Sequence, residues 1–407
     1  YGDPRVEAFD STFTGNTAYR DGGAIAADET VLVRSSMFAD NVSGARGGAV
    51  YGDYEVRIES STLTGNQADQ RGGAVYADEL AIIRDSTLSG NSVLGLGAYS
   101  FGGGGAVAAD GMIRASASSF TANSALGPER SSGGALYAEV VEIVASTVSG
   151  NSTAGENSGG GGIFGEEQVV LVDSTVSDNR TEGANAPGGG VFGGFVLGLG
   201  SLVSDNATTG DGAAGGGIFA GGVNGSGGLT LVNSTIAGNS TAGETSPGGG
   251  AYARDRLEGV QISVTGNAIA GPIVPPQGAG DAGGGGLALG PSADARLFLA
   301  NSIVLGNAAT DPSATGAEIG GGPQPQPARN FFEGLNIVGA DAGAFDPTSA
   351  NPYIGGGADA VINADPNAVF AATAGTLSDE DADATPESPT GVTRGALADN
   401  GGDRHSV

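Results

Sequence analysis

The stretch Ser61-Thr62-Leu63-Thr64-Gly65-Asn66, followed by Gly72-Gly73-Ala74-Val75-Tyr76-Ala77-Asp78, decides the reading of this chain. Copies of it recur along the sequence. They align on Asn16, Asn41, Asn66, Asn91, Asn123, Asn151, Asn179, Asn206, Asn239, Asn267 and Asn307. The first three intervals are 25 residues each, and later ones run from 27 to 40. An apolar residue precedes each Asn by three positions, from Phe13, Phe38 and Leu63 to Ile236, Val264 and Val304. A second apolar column follows the glycine pair: Ile25, Val50, Val75, Val107, Leu136, Ile163, Val191, Ile218, Tyr252, Leu287. A third precedes each Ser-Thr unit, as in Val31-Leu32-Val33 and Val169-Val170-Leu171-Val172.

Each repeat thus holds three short runs rich in β-branched residues and punctuated by Gly, Asn, Asp and Ser, which are strand and turn signals. No stretch carries an apolar period of 3.6. One such coil cannot bury its own inner face, but stacked coils bury a continuous one. The expected fold is all-β: a right-handed parallel β-helix of about eleven coils with three short strands each, the hand following that of parallel crossovers. Residues 1–321 form the repeats. Residues 322–407 form a last coil and an irregular cap rich in Gly, Ala, Asp and Pro, because open solenoid ends template aggregation. The Asn column is expected at a corner, in the left-handed conformation, with each amide bonded to the Asn of the next coil. The Ser-Thr hydroxyls are expected to bond likewise.

Composition narrows the function classes. There are 78 glycines in 407 residues without a Gly-X-Y period, so collagen is excluded and the glycines serve turns and close approach. The net charge of −29 argues against nucleic acid or an anionic membrane surface as partner. All 16 basic residues are Arg, and Cys and Trp are absent. Disulfides, thiolate metal sites and Cys nucleophiles are therefore excluded. No apolar run is long enough for a membrane-spanning helix, so no membrane insertion is expected of this segment. The chain opens at Tyr1 within a repeat, which reads as a segment of a longer precursor.

Ser-Thr-apolar-x-Gly-Asn followed by Gly-Gly-Ala-apolar-Tyr resembles the repeats of bacterial right-handed β-helix surface proteins, including the polymorphic outer-membrane-protein type. Asn301–Asn307, Gly334–Gly339 and Leu397–Gly402 resemble the closing section of secreted CSLREA-type, choice-of-anchor β-helix proteins. The resemblance covers most of residues 6–339 plus the terminal motif. It implies secretion to a bacterial cell surface and says little about activity.

The search for chemistry finds mostly registered, repeating positions. The acids Asp28, Asp53, Asp78 and Asp110 follow the glycine-pair strand one per coil, with Glu139 and Glu166 after them. Such a column either holds calcium through its carboxylates or is a solvated corner. Arg34, Arg57, Arg84 and Arg114 lie at neighbouring outer positions and would neutralise part of it. Asp379, Asp381 and Asp383 alternate as in a calcium loop but lack its central Gly and distal Glu. No cofactor is required; Ca2+ is the one candidate. Tyr51, Tyr76 and Tyr137, with Phe164, Phe192, Phe219 and Tyr252, form a column that reads first as packing and second as a glycan-gripping stripe. Asn-x-Ser/Thr at Asn41, Asn151, Asn206, Asn233 and Asn239 reads as a by-product of the repeat.

An enzyme is disfavoured. Lys is absent, the sole His is His405, and the acids recur in register rather than forming a unique pair. The loop between Asn and the glycine pair grows from five residues in the first three coils to between eight and sixteen later. Insertions on one face mark either an interaction ridge or drift in exposed turns. The leading reading is an extracellular structural protein, a surface fibre or adhesin-like stalk, with itself as partner in an end-to-end filament. The alternative is a protein that binds or cleaves cell-surface or matrix polysaccharide.

Overall fold

A coil of this kind has to satisfy its backbone polar groups on its neighbours. The computed structural model describes residues 4–96, 103–222, 227–272, 283–291, 295–309, 316–321, 331–333, 336–339 and 361–364. Within them there is no helix, and the strands pair in parallel into sheets of 20, 13 and 11 strands. The 11-stranded sheet has one two-residue strand per coil, from Thr17–Ala18 to Ala308–Ala309. The 13-stranded sheet holds the Thr-apolar-Thr segments such as Thr62–Thr64. The largest sheet takes both the five-residue strand of each coil and the strand after the glycine pair. In three coils these two merge into single strands, Leu136–Val144, Ile163–Val172 and Val191–Leu199. The chain is a parallel β-solenoid.

The register turns the sequence columns into stacks. Leu63 pairs with Phe38 below and Leu88 above, and all three are fully buried. Val75 does the same with Val50 and Val107. One position differs from the sequence alignment. Ile218 pairs with Ala251 and Phe219 with Tyr252, so Ala251 holds the inward place expected for Tyr252. Three consecutive glycines, Gly248–Gly250, hide the frame in the sequence.

The asparagine ladder is continuous. Asn151 shows its chemistry. Its Nδ2 donates to Asn179 Oδ1 at 2.8 Å in the next coil and to the Phe120 carbonyl at 3.0 Å in the preceding one. Its Oδ1 accepts from the backbone N–H and the Nδ2 of Asn123, at 2.8 and 3.0 Å. The same head-to-tail bonding runs from Asn16 to Asn307. The asparagines are not left-handed, contrary to expectation. The residue before each one is: Gly15, Asp40, Gly65, Gly90, Ala122, Gly150, Asp178, Asp205, Gly238, Gly266 and Gly306. That residue makes the turn, and the Asn then keeps its backbone N–H pointed along the solenoid axis. A parallel column of serines does similar work. Ser61 Oγ donates to the Glu59 carbonyl at 2.7 Å and accepts the Ser36 N–H at 3.1 Å. The Thr beside it does not join, since Thr62 is exposed.

The ladder ends on a residue outside the Asn column. Glu318 stands where other coils carry Ala or Gly, and it is 4% exposed. Its carboxylate accepts from Asn307 Nδ2 at 2.7 Å, the Asn307 N–H at 3.2 Å and the Gly306 N–H at 2.9 Å. It supplies the acceptor that a further Asn would have supplied. Gly339 makes room, because a Cβ there would lie 2.2 Å from the carboxylate. The solenoid sheets nonetheless continue. Phe331–Glu333 pairs with the strand that ends at Ala300, and Ile337–Gly339 pairs with Ile303–Val304 and Val361–Ala364.

Replacing Asn151 with Ala leaves two donors of Asn123 without partners in a fully buried corner. At about 1–3 kcal/mol per orphaned group the loss should be about 2–6 kcal/mol. Urea unfolding followed by circular dichroism checks it, with exposed Thr62→Ala as the control expected to change little.

Candidate functional site

Alternation places every second residue of the glycine-pair strand outside the barrel. These outward residues are the aromatic column, and the structure packs them into a second apolar cluster, separate from the core. Tyr137, Phe164, Phe192, Phe219 and Tyr252 stack at centroid distances of 4.4–5.3 Å. Tyr51 stacks on Tyr76 at 5.7 Å. All but Tyr252 are buried, so the column is packing and not an exposed stripe.

Two kinds of roof cover it. From the sixth coil onward the lengthened loops do so: Ala214 joins the same cluster, and a side chain at Gly159 would meet both Pro187 and the Phe192 ring. The first coils have short loops, and arginines take over. The Arg46 guanidinium lies 4.7 Å from the Tyr51 ring centroid and 4.9 Å from that of Tyr76. Its Nε donates to Asp21 at 3.0 Å, one terminal nitrogen to Asp78 at 3.3 Å, and the other to the Tyr51 hydroxyl at 2.8 Å. The Tyr51 hydroxyl in turn donates to Asp53. In the fourth coil Ala108 leaves a gap in the ring stack. Arg71 reaches over it, 5.6 Å from the Tyr137 centroid and paired with Asp110.

This arrangement answers where the acidic column goes. Asp53, Asp78 and Asp110 each bond to a group in the roof. The arginines that neutralise the column are Arg46 and Arg71. Arg34, Arg57 and Arg114, which sequence proximity nominated, pair with Glu59, Glu55 and Glu142 on the outer face of the five-residue strands. Arg46 and Arg71 come from the Asn–glycine loops, whose nearness to the column is a matter of coil geometry. Among the described residues no three acids or histidines gather as a metal would require. Asp379, Asp381 and Asp383 lie outside the described residues.

Burial raises the Tyr51, Tyr76 and Tyr137 hydroxyls well above the usual range, helped at Tyr51 and Tyr137 by bonds to Asp53 and Glu166. They stay protonated and serve as donors. Burial works against the Arg46 charge, but its bonds to Asp21 and Tyr76 outweigh this and raise its pKa further. Burial also raises the Asp78 carboxyl, with Asp110 and Asp53 adding to it and Tyr76 and Arg46 opposing. The roof flanks an open groove of about 1100 Å³, lined by Tyr19, Asp21, Arg46, Gln70 and Arg71 among others.

The loop ridge is built, not adrift. In four successive coils a buried Thr, at 153, 181, 208 and 241, donates to the carbonyl five residues on, at 2.6 Å each. The loops also bond to one another: Asn157 N–H to the Ala184 carbonyl, Asn185 to Asp211, Gly212 to Glu244, at 2.8–2.9 Å. Gly155, Gly183, Gly210 and Gly243 stack so closely that a Cβ on any of the last three would lie 1.9 Å from a carbonyl oxygen. The crest beside them exposes Glu156, Asp211 and Glu244.

The family model of the Chlamydia polymorphic membrane protein repeat matches residues 10–28 and 60–78. These two windows are similar to that repeat. Each matched window runs from the left-handed residue before the serine column to the acidic column, so it contains the ladder Asn, the short loop and the glycine pair. Each matched window thus holds one rung of the ladder and one place in the outer column, Asn16 with Ala26 and Asn66 with Tyr76. No curated protein and no solved structure matches the chain. Of the five Asn-x-Ser/Thr sites, Asn41, Asn151, Asn206 and Asn239 are fully buried ladder rungs, and Asn233 alone is exposed.

A carboxyl whose pKa is raised on folding favours the fold while it is protonated. That advantage fades as pH rises from its ordinary value, 3.8, through the raised one. Asp78→Asn, which cannot ionise, should therefore gain stability relative to wild type as pH increases from about 3 to about 6. Melting temperatures of the two proteins across that range check the sign.

Proposed function

We propose that this chain is a rigid extracellular element of a bacterial surface protein, non-enzymatic, which holds its loop ridge out to a partner. The observation that supports this most is the ridge itself. Its loops are longer than the turn requires, yet they bond to each other coil after coil, and such ordering is wasted on a mere connection. The match to a membrane-protein repeat supports the location. A stack of eleven coils at ~4.8 Å makes a rod about 50 Å long, which suits a stalk or an adhesin-like passenger. The acidic crest fits a partner that presents cations or neutral hydroxyls, including cell-surface or matrix polysaccharide. Self-association end to end is the second form of this reading. Among the described residues strand Arg5–Phe9 pairs with Thr30–Arg34 alone, and Glu318 occupies the ladder's other end.

The decisive experiment replaces loops 152–159, 180–187, 207–214 and 240–247 with the five-residue loop 42–46 of the second coil. Beads coated with wild type should adhere to cells or to immobilised glycans, and the shortened variant should lose most of that adhesion while keeping its β circular dichroism. Equal adhesion by both would refute the ridge as the contact surface. Negative-stain images of the same preparations separate filaments from single rods.

The column Asp53, Asp78 and Asp110 is held by Arg46, Arg71 and Tyr51, which supports arginine rather than calcium as its neutralising partner. Excess EDTA should then leave the melting temperature unchanged, while 1 M salt, which screens exposed charge pairs, should lower it slightly. A marked drop with EDTA alone restores the calcium ladder.

A further inference from the structure

The outer face of the 13-stranded sheet has a composition unlike the rest of the molecule. Ten of its strands, from Thr12–Thr14 to Ser263–Thr265, each turn two side chains outward, so twenty positions are at stake. Sixteen of the twenty are Ser or Thr, and the others are Met37, Ala39, Leu202 and Ala237. None is charged, in a chain of which 15% is charged and whose net charge is −29. The middle five strands, Thr62–Thr64 to Thr175–Ser177, carry ten hydroxyls without interruption.

These hydroxyls lie in register. Thr62 pairs with Thr87, Thr87 with Ser119, Ser119 with Thr147 and Thr147 with Thr175. The result is two parallel files with one hydroxyl per coil, ~4.8 Å apart along the axis and two residues, ~6.7 Å, apart across the strand. The hydroxyls are also uncommitted. Ser89 Oγ bonds to Thr64 Oγ1 at 3.3 Å, and the other eight have no partner among the described residues. The buried serine column next to them is the opposite case, with each hydroxyl tied to its own coil and to a neighbour. The backbone beneath is fixed by pairing on both sides, and a β-branched Thr has few χ1 choices, so the array is ordered before it meets anything.

A partner for such a strip has to repeat along the axis, bond to hydroxyls and carry no charge. A polyanion or polycation would find no counter-charge on it. An apolar surface would strip water from the hydroxyls without replacing those bonds. A sugar chain would normally be gripped through ring stacking, and the strip has no aromatic residue. We propose that this strip binds ice: its hydroxyl files occupy positions in the outermost water layer of the crystal, and the Thr methyl groups rest between those waters. Each hydroxyl contributes little, about 0.5–1.5 kcal/mol. Ten acting in register on a rigid face make attachment persistent, and a single bulky charge at the centre prevents the approach.

The test uses the purified chain in ice-recrystallisation and thermal-hysteresis measurements. Wild type should slow recrystallisation and shape growing crystals. Thr147→Lys, at an exposed site in the middle strand pair, should raise the concentration needed at least about tenfold with an unchanged melting curve. A gain-of-function variant guards against misfolding as the cause: Met37→Thr with Ala39→Thr joins the Thr12 and Thr14 hydroxyls to the strip and should lower the required concentration. Absence of any effect on ice by the folded wild type, or full activity in Thr147→Lys, overturns the proposal. Adsorption to crystalline cellulose or chitin without any effect on ice also overturns it and assigns the strip to a neutral glycan.

Discussion

The structure depends on one constraint: a buried asparagine must find both a donor and an acceptor at every coil. Each rung takes two bonds from the coil below and passes bonds to the coil above, so no rung is complete alone. This polarity explains features that otherwise look unrelated. The preceding residue must turn left-handed, so that the Asn amide aligns with the axis. The place opposite the rung must be small, because a Cβ at Gly162 would lie 2.9 Å from Asn179 Cγ. The last rung needs a substitute acceptor, and Glu318 provides one by reaching inward from a place that elsewhere holds Ala or Gly. An isolated buried carboxylate would be costly, but three N–H donors converge on this one.

The outer aromatic column obeys a second constraint. Rings on the outside of a solenoid need cover, and the chain supplies it in two currencies. Where loops are short, Arg46 and Arg71 lie over tyrosines whose hydroxyls and neighbouring aspartates hold the guanidinium groups in place. Where loops are long, backbone and small side chains do the covering, and the rings become Phe164, Phe192 and Phe219, which have no hydroxyl to satisfy. Tyr137 and Tyr252 also lie in coils with lengthened loops, and Tyr137 keeps its hydroxyl bonded to Glu166. The acidic column belongs to the first kind of roof, and it thins out where the second begins.

Much of this was legible in the sequence because a solenoid repeats its physics. The spacing of Asn16, Asn41 and Asn66 gave the coil, and Phe38, Leu63 and Leu88 gave the inward face. What failed to show were relations across coils rather than along the chain. Asn tolerates the left-handed corner, but Asp40, Ala122, Asp178 and Asp205 occupy that slot at φ of 54–58°. A sequence cannot tell which of two adjacent polar residues turns. Tyr252 slipped by one position because Gly248, Gly249 and Gly250 are interchangeable on paper. Arg46 and Arg71 sit in loops and reach the acids through coil geometry, whereas Arg34 and Arg57 sit in strands near the acids in number but on another part of the surface. Glu318 broke a column of small residues, and that break was the available signal.

The same residue types meet opposite fates within six positions. Ser61 is buried, bonded and structural; Thr62 and Thr64 flank Leu63 and face outward with nothing in the fold that requires a hydroxyl there. Strand propensity accounts for β-branched residues at such places but is indifferent between Thr, Val and the long charged side chains that solubilise the other faces. A molecule that places charge freely elsewhere and none at twenty successive outward positions of one face has kept that face uniform. Uniformity matters only to something that contacts many coils at once. The ladder inside makes the coils equivalent, and that equivalence is what lets an outer surface present the same group at the same interval, whatever periodic partner it meets.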